Sequence, residues 1–129
     1  MNPADIRVLI VDDEEDIREI IRDNFETIGF QVSTCESGNK AIRLFDQGDF
    51  NIVVSDIRMN DGDGVDLLKH IKSNNPNFPP VFLISGYSDY ERSDLYAYGA
   101  DGFFSKPFNL DDLRRNVKYA LLSREDFWK

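Results

Sequence analysis

The chain has 129 residues, 41% of them apolar and 30% charged, with a formal net charge of −9. That length holds one domain with a core and little of a second, and the composition is that of an ordinary soluble globular protein. So acidic a surface repels phosphate backbones, which argues against direct nucleic-acid binding by this domain.

The longest apolar stretch near the N-terminus, Val8–Val11, is too short for a signal peptide or a membrane span, so no membrane association is expected. A single cysteine, Cys35, forms no internal disulfide and suits a reducing compartment. The cytoplasm is the expected location, with Cys35 read as a buried or half-buried strand residue.

Strand-like and helix-like segments alternate along the chain. Val8-Leu9-Ile10-Val11 is a predicted first strand that runs into Asp12-Asp13. Ile17, Ile20, Ile21, Phe25 and Ile28 then recur at three- and four-residue spacing, which predicts a helix with one apolar face and Gly29 at its C-terminal cap. Gln31–Glu36 reads as a short second strand. Ala41, Ile42, Leu44 and Phe45 mark a second helix ended by Gly48. Ile52-Val53-Val54-Ser55 forms a third strand ending at Asp56, followed by a loop, Arg58 to Gly64, rich in turn formers.

Val65, Leu67, Leu68 and Ile71 predict a third helix, closed by Asn74-Asn75-Pro76. His70, the only histidine, falls on its polar side and reads as an ordinary exposed residue. Pro79-Pro80 lead into a fourth strand, Val81-Phe82-Leu83-Ile84, which runs into Ser85-Gly86. A helix from about Ser88 to Tyr98 stops at Gly99, and a fifth strand through Phe103-Phe104-Ser105 delivers Lys106-Pro107. Asn109 is a good N-cap for a last helix with Asp111 and Asp112 in its first turn, expected to bury Leu110, Leu113, Val117 and Leu121. The reading is a single domain over 1–129, with its core at about 5–122 and 123–129 as a tail or the start of a linker.

Five strands alternating with five helices imply a doubly wound α/β fold, a parallel sheet with helices on both faces. Ligands of such sheets bind outside the carboxyl ends of the strands. Asp12, Asp13, Asp56, Ser85 and Lys106 would all meet at that edge. Two carboxylates about 4 Å apart repel by roughly 4 kcal/mol at an effective dielectric near 20. Three of them need a cation, a protonated member or a wide spacing. All-oxygen ligands with room for water favour Mg²⁺ over Ca²⁺, and the loop after Asp56 lacks the spaced Glu of a Ca²⁺ loop. Lys106 and Ser85 then suit a phosphoryl group beside that ion. Singly, each residue has a plainer role, Asp13 or Ser85 as a helix cap, Asp56 or Lys106 as a solvated loop residue. It is their joint placement that argues for a site.

These residues are the ones by which the chain resembles the receiver domain of two-component response regulators, from roughly Asp5 to Leu122. VLIVDDEEDIRE resembles the first strand with its acidic pair, and IVVSDIRMNDGDGVDLLKHIK the acceptor strand and its loop. VFLISG carries the hydroxyl position, and GADGFFSKPF the aromatic, the lysine and the proline.

The resemblance implies a flavodoxin-like fold with strand order 2-1-3-4-5. It implies that Asp56 accepts a phosphoryl group from a histidine kinase or phosphotransfer protein in a Mg²⁺-dependent reaction. By the same resemblance Asp13 and Asp56 ligate the metal directly, Arg58 gives a backbone carbonyl ligand, and Asp12 acts largely through water. Lys106 pairs with the phosphoryl oxygens, while Ser85 and Phe103 are the switch residues. The surface of helix four, strand five and helix five would respond and control a partner or output domain.

Asn60 replaces a frequent proline in the acceptor loop, and Tyr98 stands where a small residue is usual. Such a domain catalyses its own phosphorylation and dephosphorylation and is otherwise not an enzyme. The competing reading is a receiver-like module that binds partners without phosphorylation. A phosphatase of the acyl-phosphate type would need a second Asp two residues after the nucleophile, where this chain has Arg58. Four of the five tyrosines, Tyr87, Tyr90, Tyr96 and Tyr98, lie in the fourth-helix segment and Tyr119 on the last helix, which suggests an interface there with a partner or a second copy.

Overall fold

The computed structural model describes residues 2–86 and 90–122. After a 3-10 turn at Pro3–Asp5 the elements run β1 (Arg7–Val11), α1 (Glu15–Thr27), β2 (Gln31–Cys35), α2 (Gly38–Gln47), β3 (Ile52–Asp56), α3 (Gly64–Asn74), β4 (Val81–Ser85), α4 (Arg92–Ala97), β5 (Gly102–Ser105) and α5 (Leu110–Leu122). The strands form one parallel sheet in the order β2-β1-β3-β4-β5. This is the expected doubly wound arrangement.

The apolar runs explain which strands are central. β3 and β4 are buried along their whole length, and β1 from Val8 onward, whereas the edge strands β2 and β5 are mostly half-buried. Alternation sends successive side chains to opposite faces. Leu9, Val11, Val53 and Leu83 pack under α2, α3 and Leu95 of α4. Val8, Ile10, Ile52, Val54, Phe82 and Ile84 pack under α1 and α5. Cys35 is buried at the end of β2, and burial pushes its thiol up to about 11.

The helix ends follow local chemistry. Ser37 caps α2 by accepting the Lys40 N–H, and Asp63 and Asp66 form a reciprocal capping box on α3. Asn109 accepts the Asp112 N–H at 3.1 Å, as its position in the sequence suggested. Gly29 follows α1 at φ +95°, a left-handed conformation that glycine adopts freely.

Four sequence expectations need correction. Ile20 is 49% exposed, because it lies about 100° around α1 from the buried Ile21; with Ile17, Pro107, Phe108 and Leu110 it lines an apolar groove. Leu110, at the first turn of α5, is only half-buried. α4 begins at Arg92, later than expected, with a single buried residue, Leu95, to anchor it; the proposed start at Ser88 lies outside the described residues, as does the tail 123–129. His70 is not simply exposed: its Nε2 lies 2.7 Å from Asp46 Oδ1 and its ring meets Phe45 edge-on, tying α3 to α2.

Lys72 was not anticipated at all. It is buried, and its ammonium donates to the Pro79 carbonyl and to Asp101 Oδ2, each at 3.0 Å. Asp101 Oδ2 also accepts the Val81 N–H at 2.8 Å. One ion pair thus joins α3, the entry to β4 and the turn before β5.

Candidate functional site

The site lies where the central strands end. β1 delivers Asp12 and Asp13 to one point, with Asp12 buried and Asp13 exposed. Asp12 Oδ1 accepts the Glu14 N–H at 2.9 Å, and its backbone carbonyl accepts Arg18 Nη1 at 2.7 Å. So the first turn of α1 is held by Asp12, not by Asp13, and Glu14 at the N-cap position makes no side-chain cap bond.

β3, one strand over, ends on Asp56. Its Oδ1 accepts the Ile57 N–H at 2.8 Å, and its Oδ2 lies 3.2 Å from Lys106 Nζ. Ser85 is buried at the end of β4. Its backbone carbonyl accepts the Lys106 N–H at 2.9 Å, which fixes the start of the lysine side chain beside it. Asp13, Glu14, Asp56, Arg58, Ser85, Gly86 and Lys106 line one open depression. All the sequence-predicted chemical residues therefore meet at one sheet edge. Glu14, which the sequence did not single out, joins them 3.5 Å from Lys106 Nζ.

The electrostatics show an excess of negative charge. One oxygen from each of Asp12, Asp13 and Asp56 fits within 4.8 Å of the others. Lys106 is the cation among them, 3.2 Å from both Asp12 Oδ2 and Asp56 Oδ2. Burial, and then the neighbouring Asp12, push Asp56 up to about 6 despite that lysine. Burial likewise raises Asp12 above its usual range. Burial works against the charge on Lys106, but Asp56 and Asp12 outweigh it and hold the ammonium above its ordinary value.

Asp12 Oδ2 is buried without a well-formed hydrogen bond, although Lys106 stands close to it. A buried carboxylate oxygen in that state is costly unless something else satisfies it. An all-oxygen donor set with surplus negative charge suits a hard divalent cation. The residues present fit such an ion.

Phe103 lies on β5, half-buried, with the Arg92 guanidinium 4.7 Å from its ring centre. Arg92 Nη2 also reaches toward Ser105 Oγ at 3.5 Å. Of the tyrosines singled out, Tyr96, Tyr98 and Tyr119 are exposed, and Lys69 lies 4.2 Å over the Tyr98 ring. Tyr90 instead packs against the core, and Tyr87 lies outside the described residues.

The parallel five-stranded sheet thus carries a lysine-bridged acidic pocket at its carboxyl edge. Residues 8–118 match the response regulator receiver domain family. The chain belongs to that family, the receiver domains of two-component systems.

Its sequence is 35% identical over 116 residues to the regulatory protein AtoC of Escherichia coli, a match covering 89% of this chain and 25% of that one. It is 36% identical over 114 residues to the response regulator SaeR of Staphylococcus aureus, covering 88% of this chain and 50% of that one. The chain thus spans a quarter to a half of the length of these curated relatives. Among solved structures, a CheY-like receiver domain from Methanospirillum hungatei superposes with a TM-score of 0.86 at 28% identity, covering 95% and 98% of the two chains. The Thermotoga maritima response regulator TrrA, solved in complex with Mg²⁺-BeF, gives 0.81 at 34% identity, covering 90% and 99%. Among the described residues, no helix is long and apolar enough to cross a membrane.

Proposed function

We propose that this domain accepts a phosphoryl group onto Asp56 from the phosphohistidine of a sensor kinase or phosphotransfer protein, with Mg²⁺ as cofactor. The observation that carries the reading is the state of Asp56: a buried strand-end carboxylate with one oxygen on a backbone N–H and the other on Lys106, inside an acidic cluster. The complex of TrrA with Mg²⁺-BeF supports the choice of ion.

Asp13 and Asp56 would hold the ion directly, with the Arg58 carbonyl, while Asp12, already bonded to the Glu14 N–H, would act largely through water. The bound ion supplies positive charge to phosphoryl oxygens. A carboxylate oxygen of Asp56 attacks phosphorus, the P–N bond breaks, and its electron pair stays on the histidine nitrogen. Lys106 pairs with the developing negative charge on the transferred group. Water later attacks the same phosphorus and releases the Asp56 carboxylate.

The domain catalyses only these two steps on itself. The transferred group carries roughly −1.5 to −2 charges, by analogy with other phosphorylations, in place of the single charge of the Asp56 carboxylate. The Ser85 hydroxyl turns toward it, and Phe103 follows into the space behind, leaving the Arg92 guanidinium. The surface of α4, β5 and α5, with Tyr96, Tyr98 and Tyr119, then engages an output domain, a separate target or a second copy of the chain.

Incubation with acetyl phosphate and Mg²⁺, read by intact mass, is expected to add one phosphoryl group to the wild type and none to Asp56→Ala. Addition that survives in Asp56→Ala, or without divalent cation, contradicts the proposal. Asp13→Ala is expected to weaken Mg²⁺ binding more than Asp12→Ala, because Asp13 is exposed and free to turn onto the ion. Calorimetric titration of both variants gives the order, and equal losses or the reverse order reject the assignment.

A further inference from the structure

The loop after the acceptor, from Arg58 to Asp63, contains no proline to stiffen it. The structure shows another restraint in its place. Asp61 sits at φ +59°, a left-handed backbone that a short polar residue tolerates. Its carboxylate accepts Asn39 Nδ2 at 2.9 Å through Oδ1 and Ser37 Oγ at 3.3 Å through Oδ2.

Two backbone bonds run beside these, from Asn39 N–H to the Asp61 carbonyl at 3.0 Å and from Gly38 N–H to the Gly62 carbonyl at 2.9 Å. The two chains lie so close that a Cβ on Gly38 would come within 2.6 Å of the Gly62 carbonyl. The acceptor loop and the first turn of α2 are therefore one hydrogen-bonded unit. Arg58 stands between this clamp and Asp56, on the wall of the acidic depression.

We propose that Asp61 is a positioning residue for the cation site, whose carboxylate clamps the acceptor loop to Asn39 and Ser37 and so presents the Arg58 backbone to the ion. This rests on the reading of the site given above. A loop fixed before the ion arrives loses less conformational freedom on binding, and groups that orient ligands through hydrogen bonds commonly govern affinity.

Titration of the full chain with Mg²⁺, followed by amide NMR shifts or calorimetry, tests it alongside the cation-free unfolding free energy of each variant. Asp61→Gly keeps the left-handed backbone and removes the carboxylate, while Asn39→Ala keeps the charge and removes its donor. Each is expected to weaken Mg²⁺ binding about tenfold. The double variant should lose little more than either single one, because both cut the same link. Asp61→Asn retains an acceptor oxygen without the charge, and its affinity should stay near that of the wild type.

Wild-type affinity in Asp61→Gly and Asn39→Ala, with only a loss of stability, would assign the clamp a purely structural role and overturn the proposal. An Asp61→Asn variant as weak as Asp61→Gly would assign the effect to charge, and additive losses would deny the shared link; either result also overturns it. A wild-type protein that binds no Mg²⁺ would overturn the reading of the site itself, and the clamp's role with it.

Discussion

Asp56→Asn is expected to stabilise the cation-free protein by about 3 kcal/mol at pH 7, since a carboxylate raised from 3.8 to about 6 in the folded state carries a penalty of that order when charged. The group titrates near 6 in the folded chain because of burial and then Asp12, against an ordinary value of 3.8. The folded state therefore binds this proton more tightly than the unfolded state. No penalty exists below about pH 3.8; it grows as pH rises through the window between 3.8 and 6, and it is complete above 6. The asparagine side chain resembles the protonated acid, so its advantage should fade as pH falls from about 6 toward 4. Mg²⁺ should also erase it, because a ligand that binds only the folded wild type raises that protein's stability by mass action. Urea unfolding at pH 7 and near pH 4.5, with and without Mg²⁺, checks all three statements. A gain independent of pH would mean that Asp56 is not held charged against its surroundings.

Lys72→Ala is expected to cost about 2–3 kcal/mol, somewhat below the usual loss for breaking a fully buried pair because Asp101 keeps part of its exposure. The side chain of Lys72 is 7% exposed and that of Asp101 32%. Lys72→Met keeps most of the aliphatic stem and should cost less, since Asp101 still accepts the Val81 N–H. Denaturant midpoints with unchanged slopes would show the loss as one of stability. Mg²⁺ affinity should not change, because the pair sits where β4 begins, at the far end of the strand from Ser85. A weakened Mg²⁺ affinity in either variant would contradict that separation.

These two residues also show what the sequence could and could not tell. Asp56 was legible because a short strand-like run, Ile52-Val53-Val54 followed by Ser55, leads into it, and such a run suits a strand buried on both faces. The same logic located Asp12, Ser85 and Lys106, and the periodic faces of α3 and α5. Lys72 was illegible because a buried ammonium depends on partners supplied elsewhere, here the Pro79 carbonyl and Asp101, which no local pattern links to it. His70 failed for a similar reason, since its place depends on Asp46 across the α2–α3 contact. The adjacent acids Asp12 and Asp13 were seen as a pair, but which of them caps the first turn of α1 depended on which carboxylate turned inward. The short α4 was overextended: it starts at Arg92, and Leu95 is its one buried residue.

The strand order has a consequence for how the chain folds. Among the described residues no strand pairs with a neighbour across a tight turn: β1 meets β3 with Val8 beside Ile52, and the intervening chain holds all of β2 and α2. Pairings of that kind must close long loops before any contact rewards them, which slows folding relative to helical bundles. The central β1–β3 ladder is also the contact that brings Asp12 and Asp13 up to Asp56. Carboxylate repulsion is therefore met during assembly as well as in the finished fold, and relieving it should speed folding to the extent that this ladder is formed in the transition state.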